Sequence, residues 1–317
     1  MAGLGQIGNL LPASFRPYGI GLVIIALASL AFQSRSYAEL YINSETLWTH
    51  VIEHNPKAYT AYYDVGLALL RSDRVSEAMQ RFEEALQIKP HYAQAHNNFG
   101  AALLQIGRTS EAIEQFELAL QNYPDYADAH NNLGFALQQS GRLPEAVEHY
   151  RQALQFKPAY ADAHYNLGNA LLQTGQLSEA AEQYELALKL KPDFTNAHYN
   201  LGNTLEQTGQ LSAAAEQYEL ALKLQPNFAY AHYYLGRILF RTGDLTEAIK
   251  QFEETLRIKP DLADAHNDLG FAMQQTGQLW EAINQYEEAL QIKPGLTIAR
   301  ENLTKAKALL EASPAKN

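Results

Sequence analysis

Eight of the twelve prolines stand at positions 56, 90, 124, 158, 192, 226, 260 and 294, each 34 residues from the next. Glycines keep the same beat in two rows, at 66, 100, 134, 168, 202, 236 and 270, and at 107, 141, 175, 209, 243 and 277. These two rows take thirteen of the nineteen glycines, so the period belongs to the backbone. A period of 34 with two helical segments per unit predicts an all-α solenoid, in which no unit buries its apolar face without a neighbour.

One unit, residues 93–126, shows the construction. Ala95, Phe99, Ala102, Leu103 and Ile106 recur at helical spacing in "AQAHNNFGAALLQI". Gly107 is placed to end that helix in a left-handed conformation. Ser110 is the expected N-cap of a second helix, "EAIEQFELAL", with Glu111 in its first turn and Ile113, Phe116 and Leu120 as its stripe. Pro124 keeps this helix from running into the next unit.

With Tyr59 as position 1, the chain resembles the tetratricopeptide repeat (TPR) family. That family has a large residue at 4, Leu-Gly at 7 and 8, Ala at 20, an aromatic at 24, Ala at 27 and Pro at 32. Repeat 3 carries His130, Leu133, Gly134, Ala146, Tyr150, Ala153 and Pro158; repeat 4 carries His164, Leu167, Gly168, Ala180, Tyr184, Ala187 and Pro192. The register gives seven repeats over 59–296, at 59–92, 93–126, 127–160, 161–194, 195–228, 229–262 and 263–296. The small residues at 8, 20 and 27 mark close helix approach, where an added methyl would force helices apart. Asp73 departs from the turn glycine of repeat 1, and Thr255 from the alanine of repeat 6. Residues 297–312 begin as a further first helix but put Thr304 at the glycine position, and read as a polar capping helix before a tail, 313–317. Residues 35–58 read as a lone second helix, with Trp48 at the aromatic position and Pro56 in phase. The resemblance implies a right-handed superhelix whose concave groove holds extended peptides.

The N-terminus is different material. After a leader, 1–17, the run "PYGIGLVIIALASLAFQS" between Arg16 and Arg35 carries no charge. Its eighteen residues reach about 27 Å as a helix, enough for a bilayer core. Two readings fit: a retained single-pass membrane helix over 18–34, which the long leader favours, and a cleaved signal peptide with Ser29 and Ala31 near the cut. Arginines flank both ends, so the orientation is open. "GLGQIG" (Gly3, Gly5, Gly8) matches a dinucleotide fingerprint, but the next acid is Glu39 and no strand precedes it, so it is rejected.

Net charge is −11, and −13 once Arg16 and Arg35, the only charges before Glu39, are set aside. So acidic a body repels phosphate backbones, and no nucleic acid is expected as a partner. There is no cysteine, which removes disulfides, thiolate catalysis and Cys-ligated zinc. No nucleophile–base pair or phosphate loop stands out from the repeats; neither catalysis nor a cofactor is expected.

Positions 2, 6, 9 and 13 of each first helix share one face, opposite the apolar stripe. Position 6 is Asn98, Asn132, Asn166 and Asn200 in four consecutive repeats. A carboxamide offers an acceptor and two donors, matching a peptide bond, so this ladder is expected to grip an extended partner backbone. It resembles the groove asparagines of the O-GlcNAc transferase TPR array; the alternative is that Asn is simply a common groove residue in the family. The carboxylate clamp used by other TPR domains needs Lys and Arg at positions 2, 5 and 6, where no repeat here has either. Repeat 6 departs, with Tyr230, Tyr234, Arg237 and Arg241 on this face and Tyr233 beside them, a hot-spot composition for a carboxylate or an aromatic ring. Repeat drift, with the arginines paired to neighbouring acids, is the plain alternative.

Position 4 is histidine in six repeats: His96, His130, His164, His198, His232 and His266. Helices about 8–10 Å apart cannot bring these rings to one ion, so they are expected to pack. His50 and His54 form an i, i+4 pair with no third ligand evident, and no metal site is expected. The junction "SRSYAELYINSETLWTHVIEHNPKAYTAYYDVG" is similar to the passage from membrane helices into repeats in O-mannosyltransferase-like membrane glycosyltransferases. That likeness implies a second reading, in which the array serves such an enzyme by presenting acceptor proteins on the extracytoplasmic side.

Overall fold

The computed structural model describes residues 44–312. The membrane-helix reading of 18–34 and the leader before it lie outside the described residues. Among the described residues no helix is long and apolar enough to cross a membrane. The chain divides into two compact units, 1–140 and 141–317. Sixteen α-helices and no strand make up the described residues, an all-α helical repeat solenoid.

The first unit holds α1 (Ser44–His54), α2 (Tyr59–Arg71), α3 (Val75–Ile88), α4 (Ala93–Gln105), α5 (Thr109–Asn122) and α6 (Ala127–Gln139). The second holds α7 (Leu143–Phe156), α8 (Ala161–Gln173), α9 (Leu177–Leu190), α10 (Thr195–Gln207), α11 (Leu211–Leu224), α12 (Ala229–Thr242), α13 (Leu245–Ile258), α14 (Ala263–Gln275), α15 (Leu279–Ile292) and α16 (Thr297–Ala312). Within each unit every helix packs on the next in sequence.

Each turn between paired helices needs one left-handed residue. Gly107 takes φ +78°, its N–H reaching the Leu104 carbonyl, while the Arg108 N–H reaches the Leu103 carbonyl. Asp73 occupies the same conformation at φ +58°, one of the few roles an Asp fills without a glycine's freedom, and its Oδ1 accepts from Gln105 Nε2 at 3.1 Å.

Helix starts differ from expectation. The second helix of repeat 2 begins at Thr109, so Ser110 lies inside its first turn and Arg108 is the capping position, with no side-chain cap bond. In its place Arg108 pairs with Glu111, three residues on. Asp244, at the equivalent position of repeat 6, caps its helix by accepting from the Glu247 N–H at 3.1 Å.

Close approach explains the small residues. The alanines at position 20 and at position 27 are wholly buried, among them Ala78, Ala112, Ala180, Ala187 and Ala221. Thr255 keeps its buried hydroxyl satisfied by donating to the Gln251 carbonyl at 2.8 Å, which is how the array tolerates it at an alanine site. At position 8 the opposing ring leaves no room: a Cβ on Gly100 would lie 2.7 Å from Phe116, and one on Gly168 2.7 Å from Tyr184.

The histidine column is structural. The Nε2 of His96 meets the Pro90 carbonyl at 2.8 Å and its Nδ1 the Gln115 Oε1 at 2.8 Å. His164, His198, His232 and His266 repeat this pattern with Pro158 and Gln183, Pro192 and Gln217, Pro226 and Gln251, and Pro260 and Gln285. A proline carbonyl only accepts, so Nε2 carries the proton there. Each ring thus ties the turn of the preceding repeat to the second helix of its own. In α16 an arginine takes this place: Arg300 Nη2 donates to the Pro294 carbonyl at 2.7 Å.

Candidate functional site

The amide of each position-6 asparagine is already employed inside the solenoid. Asn98 Nδ2 donates to Tyr63 Oη at 2.8 Å and to the Gln94 carbonyl at 3.1 Å. Asn132 Nδ2 donates to Asn97 Oδ1 at 3.0 Å. Asn200 Nδ2 reaches Tyr165 Oη at 3.2 Å and Asn169 Oδ1 at 2.8 Å, and that oxygen also accepts from Tyr184 Oη at 2.8 Å. In each case the partner includes position 5 of the preceding repeat, so these bonds stitch neighbouring first helices together. Among the described residues no buried side-chain polar atom lacks a partner. The Oδ1 atoms of Asn98 and Asn200, which accept no bond in the chain, are therefore reached by solvent. Asn98 in the first unit and Asn200 in the second thus each leave a single acceptor to solvent in place of a complete amide fork, while the Asn132 Oδ1 accepts from Asn131 Nδ2 at 3.4 Å. Asn166 also has a partner within the chain.

Repeat 6 is where this face changes character. Tyr234, Arg237 and Arg241 come together along α12, and they face Asn203, Glu206 and Gln207 of α10 across a hollow of about 320 Å³. A second hollow, of about 190 Å³, lies on the other side of the two arginines, lined by Phe240, Phe252, Asp268 and Phe271. Arg237 and Arg241 line both and form the ridge between them. Both guanidinium groups approach one oxygen, Glu206 Oε1, at 3.7 and 3.5 Å. Arg237 also lies over the rings of Tyr234 and Tyr233, at 5.4 and 5.8 Å from their centroids.

The tyrosines do not act as one group. Tyr234 packs against Tyr199 and Tyr218, each with its ring centroid 6.0 Å away. Tyr233 turns toward repeat 7 and donates to Asp268 Oδ2 at 3.0 Å, while Asn267 Nδ2 donates to Oδ1 at 3.0 Å. Burial pushes the Asp268 carboxyl above the ordinary aspartate range, more than these two bonds lower it. The Tyr233 phenol is driven well up, by burial first and by the Asp268 charge second. Tyr230 stands apart: its hydroxyl accepts from Lys259 Nζ at 2.8 Å, and it lines neither hollow.

Glu206, Phe240 and Asp268 complete the site and were missed from sequence. Glu206 and Phe240 both occupy position 12, next to the two arginine positions around the helix, and Asp268 stands at the asparagine position of repeat 7. Reading position 12 with the four groove positions was the available signal. At the other end of the chain, Glu53 joins His50 and His54 as the third potential ligand that sequence reading did not see, their donor atoms within 4.8 Å of one another. All three lie at the surface of α1. The His54 Nδ1 is engaged with the His50 carbonyl at 2.8 Å.

Repeated helical pairs, positive-φ turns and glycine–aromatic contacts in repeats 1, 2, 4, 5, 6 and 7 together define a helical repeat scaffold. The family comparisons make this specific. Models described as "TPR repeat" match residues 137–175 and 168–209, and models described as "Tetratricopeptide repeat" match 26–93, 69–134 and 199–263. The chain belongs to the tetratricopeptide repeat family. No curated protein matches it significantly.

Solved structures agree on the fold. YrrB, described as a TPR protein with an unusual peptide-binding site, is 26% identical over 60% of this chain and 97% of its own, with a TM-score of 0.55. MamA is 25% identical over 51% of this chain and 95% of its own, with a TM-score of 0.50. PilF of Pseudomonas aeruginosa, 22% identical over 67% of this chain and 97% of its own, reaches a TM-score of 0.61 and attests to the fold alone.

Proposed function

We propose that the chain is a non-catalytic, membrane-tethered interaction scaffold that holds an extended segment of a partner protein along its concave face. The observation that carries this reading lies within the second unit: an arginine ridge flanked by two hollows on α12, with the solvent-reached Oδ1 of Asn200 on the neighbouring α10. An extended peptide has one N–H free every second residue on each side, and a solvent-reached amide oxygen on this face can accept from one of them. The likeness to YrrB, with its peptide-binding site, adds support. The tether is the uncharged run over 18–34, as a single-pass helix.

Photo-crosslinking in native membranes tests the groove. A probe at Asn166 is expected to capture a discrete partner that a probe at Glu185, exposed on α9, does not. Capture is expected to fall in the Asn132→Ala, Asn200→Ala double variant. Equal labelling from both positions would reduce the array to a spacer. Alkaline carbonate extraction tests the tether: the protein stays in the membrane fraction if 18–34 spans it. The second reading, presentation of acceptor proteins to a membrane glycosyltransferase, rests on the junction sequence before repeat 1. It requires the captured partner to be glycosylated in the crosslinked segment.

A further inference from the structure

We propose that Arg237 and Arg241 anchor a carboxylate of the bound segment, with a large apolar side chain next to that carboxylate seated among Phe240, Phe252 and Phe271. The inference rests on the groove reading above and names the chemistry the groove selects. Each guanidinium carries five N–H donors, yet only one nitrogen of each, Arg237 Nη2 and Arg241 Nη1, approaches an acid, the same Glu206 oxygen at 3.7 and 3.5 Å. Elsewhere in this chain arginine–carboxylate contacts close to 2.6–2.9 Å, as between Arg74 and Glu77 or Glu45. Glu206 is thus too distant and too singular to satisfy the pair, and most donors face the two hollows.

Glu206 itself is held: its side chain is 11% exposed, and its other oxygen lies 3.4 Å from Tyr218 Oη, whose proton goes to Asn203 Oδ1 at 2.7 Å. It cannot swing out to meet each guanidinium in turn. A ligand carboxylate entering the larger hollow meets planar donor forks in the arrangement that arginine binds bidentately. A monoanion suits the site better than a phosphate dianion, because Glu206 and Asp268 already place acid on both sides of the ridge.

The smaller hollow supplies the second half of the specificity. Phe271 is 36% exposed, and its ring lies 5.3 Å from that of Phe240. Three phenylalanines beside a cation ridge favour an aromatic or long aliphatic side chain directly next to the acid. The ridge is not a family pattern repeated along the array. At positions 9 and 13, repeats 4, 5 and 7 carry Asn169 and Gln173, Asn203 and Gln207, and Phe271 and Gln275. An acidic segment therefore meets one attractive point in this unit, which fixes its register along the groove.

Fluorescence anisotropy on the full chain in detergent tests this, with labelled Gly/Ser peptides carrying a central Glu-Phe pair. Glu-Phe is expected to bind about tenfold more tightly than Gln-Phe, the scale of one charge-assisted bidentate contact. Arg241→Gln and Arg237→Gln are each expected to remove most of that difference, weakening Glu-Phe binding far more than Gln-Phe binding. Glu206→Gln is the discriminating variant: freeing both guanidiniums from their internal acid should tighten Glu-Phe about twofold or more, whereas a purely structural ion pair predicts no gain. A peptide ending in a free Phe carboxylate and lacking Glu distinguishes a chain terminus from a side chain as the source of the same chemistry; tight binding there assigns the terminus.

Equal affinities for Glu-Phe and Gln-Phe, or weaker Glu-Phe binding in Glu206→Gln, overturn the proposal. So does a phosphoserine-Phe peptide that outbinds Glu-Phe. If the peptides fail to discriminate while Asn166 still crosslinks a partner, the anchor is wrong and the groove stands. If both fail, the groove reading falls with it.

Discussion

Replacing Gly202 by alanine isolates the contact on which helix pairing depends. The new Cβ would sit 2.7 Å from Tyr218 Cε1, 2.9 Å from Cδ1 and 3.1 Å from Cζ. Carbon contacts prefer about 3.5–4.0 Å, so ring and helix must separate by about 0.8 Å. Tyr218 cannot easily yield. Its side chain is wholly buried, its hydroxyl donates to Asn203 Oδ1 at 2.7 Å, and the rings of Tyr199 and Tyr234 flank it. Overpacking of this kind costs about 1–3 kcal/mol, while alanine returns about 1 kcal/mol of helix propensity. The ring is confined on several sides, so the upper part of the range applies, and the net loss is about 1–2 kcal/mol. For a unit of this size that lowers the melting temperature by about 2–8 °C, read by far-UV circular dichroism. In a Tyr218→Leu background the clash is gone, and Gly202→Ala should then stabilise. The comparison is a double-mutant cycle whose coupling carries the sign of the argument. Gly209→Ala is the control: nothing lies within 4 Å of its Cβ, and its cost, about 1 kcal/mol, comes only from φ +81°. A Gly202→Ala protein as stable as the parent refutes the reasoning.

Asp268→Asn restores the asparagine of the ladder position. Because burial raises the Asp268 pKa in the fold, the native state favours the protonated acid, and ionisation costs stability as pH rises through the raised value. The variant is therefore expected to melt higher than the parent at pH 7, with the gap closing as pH falls toward the ordinary aspartate value of 3.8, in melts across that window. His130 has the opposite linkage. Burial lowers its pKa below 6.5 against the pull of the Pro124 carbonyl and Asp125, so the stability it contributes is complete above that pH and is lost as pH falls through the lowered value. A fall in melting temperature between pH 7.5 and 5.5, smaller in His130→Gln, is the expected result. Tyr218→Phe deletes the bond to Asn203 Oδ1 without changing packing and should cost about 1 kcal/mol in urea unfolding.

The repeated glycines and prolines made the solenoid legible because each performs one backbone task that few residues can perform. Gly107 had to be left-handed, and is. The His column was legible as packing from distance alone, but its bonds were not. Nothing in a sequence states that the residue at position 23 will be a glutamine aimed at the ring, or that a proline carbonyl three positions before the repeat will accept from it. The helix starts were misread for a related reason. Ser110 is the residue type that caps helices, yet the turn geometry set by Gly107 puts Arg108 at the cap, and backbone position overrides side-chain preference. In repeat 6, Arg237, Arg241 and Tyr234 line one hollow, whereas Tyr230, grouped with them by spacing, is drawn away by Lys259, the C-cap residue of α13. Contacts within a helix follow from spacing; those between repeats depend on side-chain reach, and only three-dimensional placement supplies them.

The asparagine network changes what kind of selectivity such a groove can have. Had each Asn98 or Asn200 kept its whole carboxamide free, the face would grip any extended backbone through donors and acceptors alike. With the Nδ2 groups bound to Tyr63, Tyr165 and Asn169, only acceptors remain, and they pair with peptide N–H groups but offer nothing to peptide carbonyls. One-sided hydrogen bonding holds a chain more weakly than a matched ladder and leaves it free to slide by two residues at a time. A groove of that kind needs a separate element to fix register and direction. In an acidic solenoid, a pair of arginines confined to one repeat, with an apolar hollow on one side and an internal carboxylate on the other, has the asymmetry for that task. Under the proposed groove reading, the uniform repeats would supply length and the irregular repeat selection.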